Sequence, residues 1–227
     1  MITSLRPHPR FRFEGSLDTS VVAELAIKRS RFISHLARTT DEQQARAFVD
    51  AVRERYPDAR HHCSAFVVSV AGQHDAEHSS DDGEPAGTAG RPMLDVLKAA
   101  ELGQVCAVVV RYFGGILLGT GGLVRAYSDA TRQVLAGLPV VRAEPRTLLE
   151  VEAEHGDAGV LESGLHQLGL APITRDYTAQ LTTLTLAVAD VDLVCARIAE
   201  LTAGRAHVRR GGASEIEVPA GTLGSHT

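Results

Sequence analysis

The chain has 227 residues, 44% of them hydrophobic, with a formal net charge of −5 and no tryptophan. This suits a globular protein with one large core or two smaller ones, and it argues against a protein that coats nucleic acid through bulk positive field. No apolar run approaches the roughly 18 residues of a membrane span, the start lacks a signal-peptide core, and Cys63, Cys106 and Cys195 lack Cys-x-x-Cys spacing; a cytoplasmic protein with buried thiols is expected.

Residues 1–19 lack periodicity and read as an arm, with a short strand at Phe11 to Phe13. A first domain is expected over 20–137. Glu24 to Thr39 partly alternates apolar and charged residues, the pattern of two short strands or one bent one. Thr40-Asp41-Glu42-Gln43 is a capping-box signature, and Ala45, Phe48, Val49, Val52 and Tyr56 keep helical spacing up to Pro57. His61 to Val70 predicts a strand. Ala71 to Pro92 is too polar for a core; part of it suits a hairpin, and Ser79 to Gly90 reads as a long functional loop. Pro92 opens a helix with Met93, Leu94, Val96 and Leu97 inward, ending near Gly103. Val105 to Tyr112 is a continuous apolar run ending in Arg-Tyr, which suits a strand covered on both faces.

That strand leads into RYFGGILLGTGGLVRAYSD, from Arg111 to Asp129, the stretch around which the first domain is organised. Gly114, Gly115, Gly119, Gly121 and Gly122 permit a bare turn, and Thr120 is placed to cap a helix that runs through Leu123, Ala126 or Tyr127, Ala130 and Val134 to Gly137. A helix N-terminus beside a bare turn favours a phosphate or carboxylate, with Arg111 and Arg125 near in sequence. The plainer alternative is a tight turn that only lets helix and sheet pack. The P-loop is excluded because no lysine follows the last glycine, and the dinucleotide pattern fails because Val124 stands at its third glycine, so neither ATP nor NAD is indicated.

Gly137 to Pro145 holds two prolines, and a linker is expected over 138–146. The second domain, 147–218, then reads strand (Thr147 to Ala153), helix capped by Asp157, strands at Ile173 to Tyr177 and Leu181 to Val188, helix (Val191 to Leu201) and a last strand from Ala206 to Val218. That βαββαβ order is ferredoxin-like. Residues 219–227 are expected as a disordered tail. The basic and acidic residues balance to +1 over 1–146 and to −6 over 147–227, which assigns any anion site to the first part.

His74, Asp75, His78, Asp81, Asp82 and Glu84 include divalent-metal ligand types, but the histidines lie among turn residues rather than on a rigid helix, and a solvated loop is the preferred reading. Cys63 and His62, adjacent on a strand, point to opposite faces and do not make a nucleophile and its base. No metal, cofactor or catalytic residue is expected.

His61-His62-Cys63, Ser80-Asp81-Asp82-Gly83-Glu84-Pro85 with Gly87-Thr88-Ala89-Gly90-Arg91-Pro92, and Arg111-Tyr112-Phe113-Gly114-Gly115 followed by Leu118-Gly119 make a specific constellation. Through it the chain resembles the YigZ/IMPACT family across residues 20–215 or so. The resemblance implies an α/β (α+β) chain of two domains, an N-terminal ribosomal-protein-S5-domain-2-like domain and a C-terminal ferredoxin-like βαββαβ domain. It also implies a connection to translation, since eukaryotic relatives regulate it by competing for the co-activator of a kinase acting on an initiation factor. That role needs an additional N-terminal domain and is not carried over.

The leading expectation is a monomeric binding or regulatory protein that contacts RNA or ribosome phosphates. Its anion site would comprise Arg91, Arg111, Gly114, Gly115, Gly119, Thr120, Gly121, Gly122 and Arg125, supported by a loop of His62, Ser80, Asp81, Asp82, Gly83, Glu84, Thr88 and Gly90. The alternatives are an enzyme acting on a small phosphorylated or carboxylated metabolite in the same cleft, and a protein-interaction module with a protein partner. A competing arrangement pairs Arg111 with Asp81, Asp82 or Glu84, tying loop to sheet and leaving no charge for a ligand.

Overall fold

The computed structural model describes residues 11–15, 20–68 and 75–223. The chain divides into two compact units, Ala143–Glu217 and the remainder, Met1–Arg142 with Val218–Thr227.

The first unit runs β1 (Phe11–Phe13), β2 (Val21–Ile27), β3 (Ser30–Arg38), α1 (Glu42–Arg55), β4 (His61–Val68), β5 (Ala76–Ser80), α2 (Gly90–Ala99), β6 (Leu102–Gly103), β7 (Val105–Tyr112) and α3 (Gly119–Leu135). Five strands form an antiparallel sheet in the order β2-β3-β7-β4-β5. Strand side chains alternate between faces, and that alternation builds two cores. Phe32, Cys63, Val105, Ala107 and Val109 pack with Met93 and Leu97 of α2 and Leu123 and Tyr127 of α3. Cys106, Val108 and Val110 pack on the other face with Ala45, Phe48 and Val52 of α1. The central strand is therefore buried on both sides, as its continuous apolar run requires. Arg111 shares the parity of Val105, Ala107 and Val109, so the helix side of α2 and α3 receives a cation.

The second unit contains the later part of β8 (Pro139–Glu154), then α4 (His155–Gln167), β9 (Thr174–Tyr177), β10 (Leu181–Val188), α5 (Val191–Thr202) and β11 (His207–Thr222). The strand order β11-β8-β10-β9 with two helices is the ferredoxin-like arrangement. Leu149, Val151, Leu161, Leu165, Leu184, Leu186 and Ile198 form its core.

Several local expectations need correction. The stretch 138–146 is not a separate linker, because Pro139 begins β8, a position that tolerates a missing N–H, and Val140 and Val141 are buried in register with Phe13 and Arg12. Residues 219–223 are not a disordered tail, since β11 continues to Thr222 and the Leu223 N–H donates to the Leu138 carbonyl oxygen at 2.9 Å. The capping box is shifted by one residue: Asp41 accepts from the Gln44 N–H at 2.8 Å while the Gln44 side chain accepts from the Thr40 N–H at 3.0 Å. Asp157 does not cap α4; it lies in the first turn and accepts two hydrogen bonds from Arg205. Thr120 does not cap α3, whose cap position is Leu118 with no side-chain hydrogen bond. Residues 1–10, 16–19, 69–74 and 224–227, with the expectations that fall on them, lie outside the described residues. Among the described residues no helix is long and apolar enough to cross a membrane.

Candidate functional site

Two loops of the first unit hold almost every residue singled out from the sequence, and they behave oppositely. In the acidic loop, Asp82 and Gly83 have φ of 43° and 84°, the signs of a type I′ turn, and the Glu84 N–H donates to the Asp81 carbonyl oxygen at 2.9 Å. Each acidic side chain then finds its own partner. Asp81 accepts from the N–H groups of Gly87, Ala89 and Gly90 at 2.7, 2.9 and 2.8 Å, so it caps α2 from nine residues upstream. Burial pushes the Asp81 carboxyl up, but these three N–H bonds overcome it and hold the group below its ordinary range. Asp82 accepts from Arg53 of α1 at 2.7 Å and from the His62 N–H at 2.6 Å. Gly90 lets the loop close, for a Cβ there would stand 2.6 Å from the Ser80 nitrogen.

Glu84 is the innermost of the three. Its side chain is 4% exposed, and its Oε1 accepts from Arg111 Nη1 at 2.6 Å and from the Tyr127 hydroxyl at 2.8 Å. Arg111 is 7% exposed and lies between rings, its guanidinium carbon 5.6 Å from the centroids of both Phe32 and Phe113. The Cys63 sulfur lies 3.3 Å from the Tyr127 hydroxyl and 3.0 Å from the Asp81 carbonyl oxygen. Burial pushes the Cys63 thiol up to about 12 and raises Tyr127 as well, so both stay protonated at neutral pH. This interior network ties β4, β7 and α3 to the acidic loop. It holds no thiolate nucleophile.

The second loop, from Phe113 to α3, is open. Gly114 packs against the β2–β3 hairpin, where a Cβ would fall on the Arg29 carbonyl, and its N–H donates to Ser30 Oγ at 3.2 Å. Gly115 and Gly119 have φ of 82° and 72° with open space around them. Thr120, Gly121 and Arg125 are exposed, and no side chain caps the first turn of α3. Arg125, Lys28 and Arg29 are exposed without an ion-pair partner among the described residues. The turn thus presents uncapped N–H groups and cations, a combination suited to an anion.

Residues 28–135 match the Impact N-terminal domain. The chain is 44% identical to the IMPACT family member YigZ of Escherichia coli (strain K12) over 82% of this chain and 88% of that one. The chain belongs to the IMPACT family. It is also 43% identical to the IMPACT family member YvyE of Bacillus subtilis (strain 168) over 63% of this chain and 65% of that one. A crystal structure of a hypothetical protein is similar over 88% of this chain and 95% of its own, with 40% identity and a TM-score of 0.56.

Within this IMPACT-family chain the sequence-derived site separates into parts. Glu84, Arg111 and Thr88 are interior: Thr88 donates to the Pro85 carbonyl oxygen at 2.7 Å, and the charge of Arg111 is answered by Glu84. The competing arrangement for Arg111 is therefore the one present, and the arginine is corrected from ligand contact to loop anchor, because strand parity turns it inward. His62 also looks inward, its Nε2 lying 2.9 Å from the Tyr56 carbonyl oxygen, on the face opposite Cys63. Arg91 pairs with Asp95 at 2.9 Å and borders a cavity of about 670 Å³ between α2 and α3. Gly115, Gly119, Thr120, Gly121 and Arg125 remain together at the open turn. Among the described residues no three His, Cys, Asp or Glu side chains group as metal ligands, and His74 lies outside those residues.

Sequence reasoning missed Tyr127, Arg53, Lys28 and Arg29. A signal existed for Tyr127, since a tyrosine at a core-facing helix position needs a partner for its hydroxyl. Lys28 and Arg29 mark a hairpin tip through positive φ of 45° and 67°, but nothing local places that tip beside Gly114.

Proposed function

We propose that this chain is a non-catalytic, cytosolic binding protein connected to translation, which holds RNA phosphate at the open turn between β7 and α3. The observation that carries the reading is the division of labour between the loops. The acidic side chains that would do chemistry are committed inside the fold, whereas the uncapped start of α3 faces outward with Arg125, Lys28 and Arg29, which have no ion-pair partner among the described residues. Backbone amides at a helix start and unpaired cations suit phosphate and carry no sequence preference. The family's implied connection to translation supports RNA or the ribosome as the source of that phosphate.

Fluorescence anisotropy with a structured RNA over rising salt tests this. Binding should weaken steeply with salt, and Arg125→Ala should lower both affinity and salt slope without moving the melting temperature. Binding that ignores salt, or is unchanged by Arg125→Ala, would count against the site. A second reading, a protein-docking surface, is favoured by exposed Phe113, Ile116 and Leu117. A partner protein retained after nuclease treatment and lost on Leu117→Asp would select it.

A further inference from the structure

The open turn carries a feature that phosphate binding alone does not use. Phe113 is 53% exposed, yet Arg111, which is locked to Glu84, stands against its ring at 5.6 Å. A surface aromatic is thereby held by a buried cation and keeps outward area in one orientation. Ile116 and Leu117, 41% and 83% exposed, extend the apolar surface along the same turn. Gly114, the next residue after Phe113, lies against the Arg29 backbone, which brings the tip of the β2–β3 hairpin to this turn; its Lys28 and Arg29 are exposed and without an ion-pair partner among the described residues.

An oriented aromatic surface, cations and uncapped N–H groups therefore share one short segment. A duplex presents phosphates but keeps its bases stacked, whereas an unpaired strand offers phosphates and base faces together. The charge complementarity of Lys28, Arg29 and the α3 start argues for a polyanion over a neutral apolar partner.

We infer that the open turn takes unpaired RNA, with an unstacked base lying against Phe113 while neighbouring phosphates meet Lys28, Arg29 and the first turn of α3. The inference rests on the phosphate-binding reading above and adds to it the strand state of the RNA. Arg111 is a positioning residue here, acting through the ring it holds.

The chain has no tryptophan, so Phe113→Trp places a sole indole at the site. Its fluorescence should be quenched by a short oligoadenylate single strand and not by a duplex of equal length. Phe113→Ala should weaken single-strand binding about tenfold and leave duplex binding unchanged. Phe113→Leu, which keeps apolar bulk without a π face, should behave like Phe113→Ala, with melting curves checking that each variant folds. Wild-type affinity in Phe113→Leu would overturn stacking. Equal binding of single strand and duplex, unaffected by Phe113→Ala, would overturn the inference and leave the phosphate reading standing. No RNA binding by the unaltered protein, or binding only to anionic phosphatidylserine vesicles, would overturn both.

Discussion

The acidic loop of Asp81 to Gly90 and the bare turn of Phe113 to Gly122 lie in one unit, and both are rich in glycine. The first is crowded with groups that could bind or catalyse, and every carboxylate in it is engaged: Asp81 by three amides, Asp82 by Arg53 and the His62 N–H, Glu84 by Arg111 and Tyr127. The second carries little side-chain chemistry: its Gly114 N–H donates to Ser30 Oγ, but among the described residues no side chain caps the start of α3. Abundance of polar groups is thus a poor guide to availability. A carboxylate drawn into a fold must find donors there, and those donors are then no longer free for a ligand.

The strongest way to break this comparison is to remove Arg111. Arg111→Ala strands the buried Glu84 charge and should destabilise by about 3–5 kcal/mol in urea denaturation, whereas replacing both residues with apolar side chains should recover most of the loss. Native stability in the single variant would mean that the acidic loop is not clamped as described. Gly114→Ala comes next. Its Cβ would collide with the Arg29 carbonyl, for a cost of about 1–3 kcal/mol, and the hairpin tip should shift with it, visible as altered amide shifts at Lys28 and Arg29.

Asp81→Ala should cost about 0.5–2 kcal/mol by uncapping α2. In the unaltered protein the lowered Asp81 pKa means that the folded state favours its carboxylate. That contribution is full above the ordinary carboxylate range and is lost as pH falls through the lowered folded value. Comparing acid denaturation of Asp81→Asn with the parent isolates it: the variant should lose less stability across that acid window. The smallest effect sharpens the other side, for Arg125→Ala should change stability by no more than about 0.5 kcal/mol while still weakening RNA binding. A large loss of stability there would show that the open turn, too, is structural.

The sequence by itself determined what depends on local periodicity. The run Val105 to Val110 specified a strand buried on both faces, Leu181 to Val188 a half-buried strand, and the second half the ferredoxin-like order of elements. The motifs that mark the family were equally legible. Only the tertiary structure decided which motif residues remain available, because that depends on groups distant in the chain. Glu84 meets Arg111 and Tyr127, 27 and 43 residues away, and Asp82 meets Arg53, 29 residues away. The pairing of Phe11 with Leu102, the continuation of β8 through Pro139 to Val141 and the placing of the Lys28–Arg29 tip beside Gly114 are decided the same way. Whether a charge is a clamp or a contact is set by strand parity and by what packs opposite, and neither the partner nor the packing is encoded within a few residues of the charge.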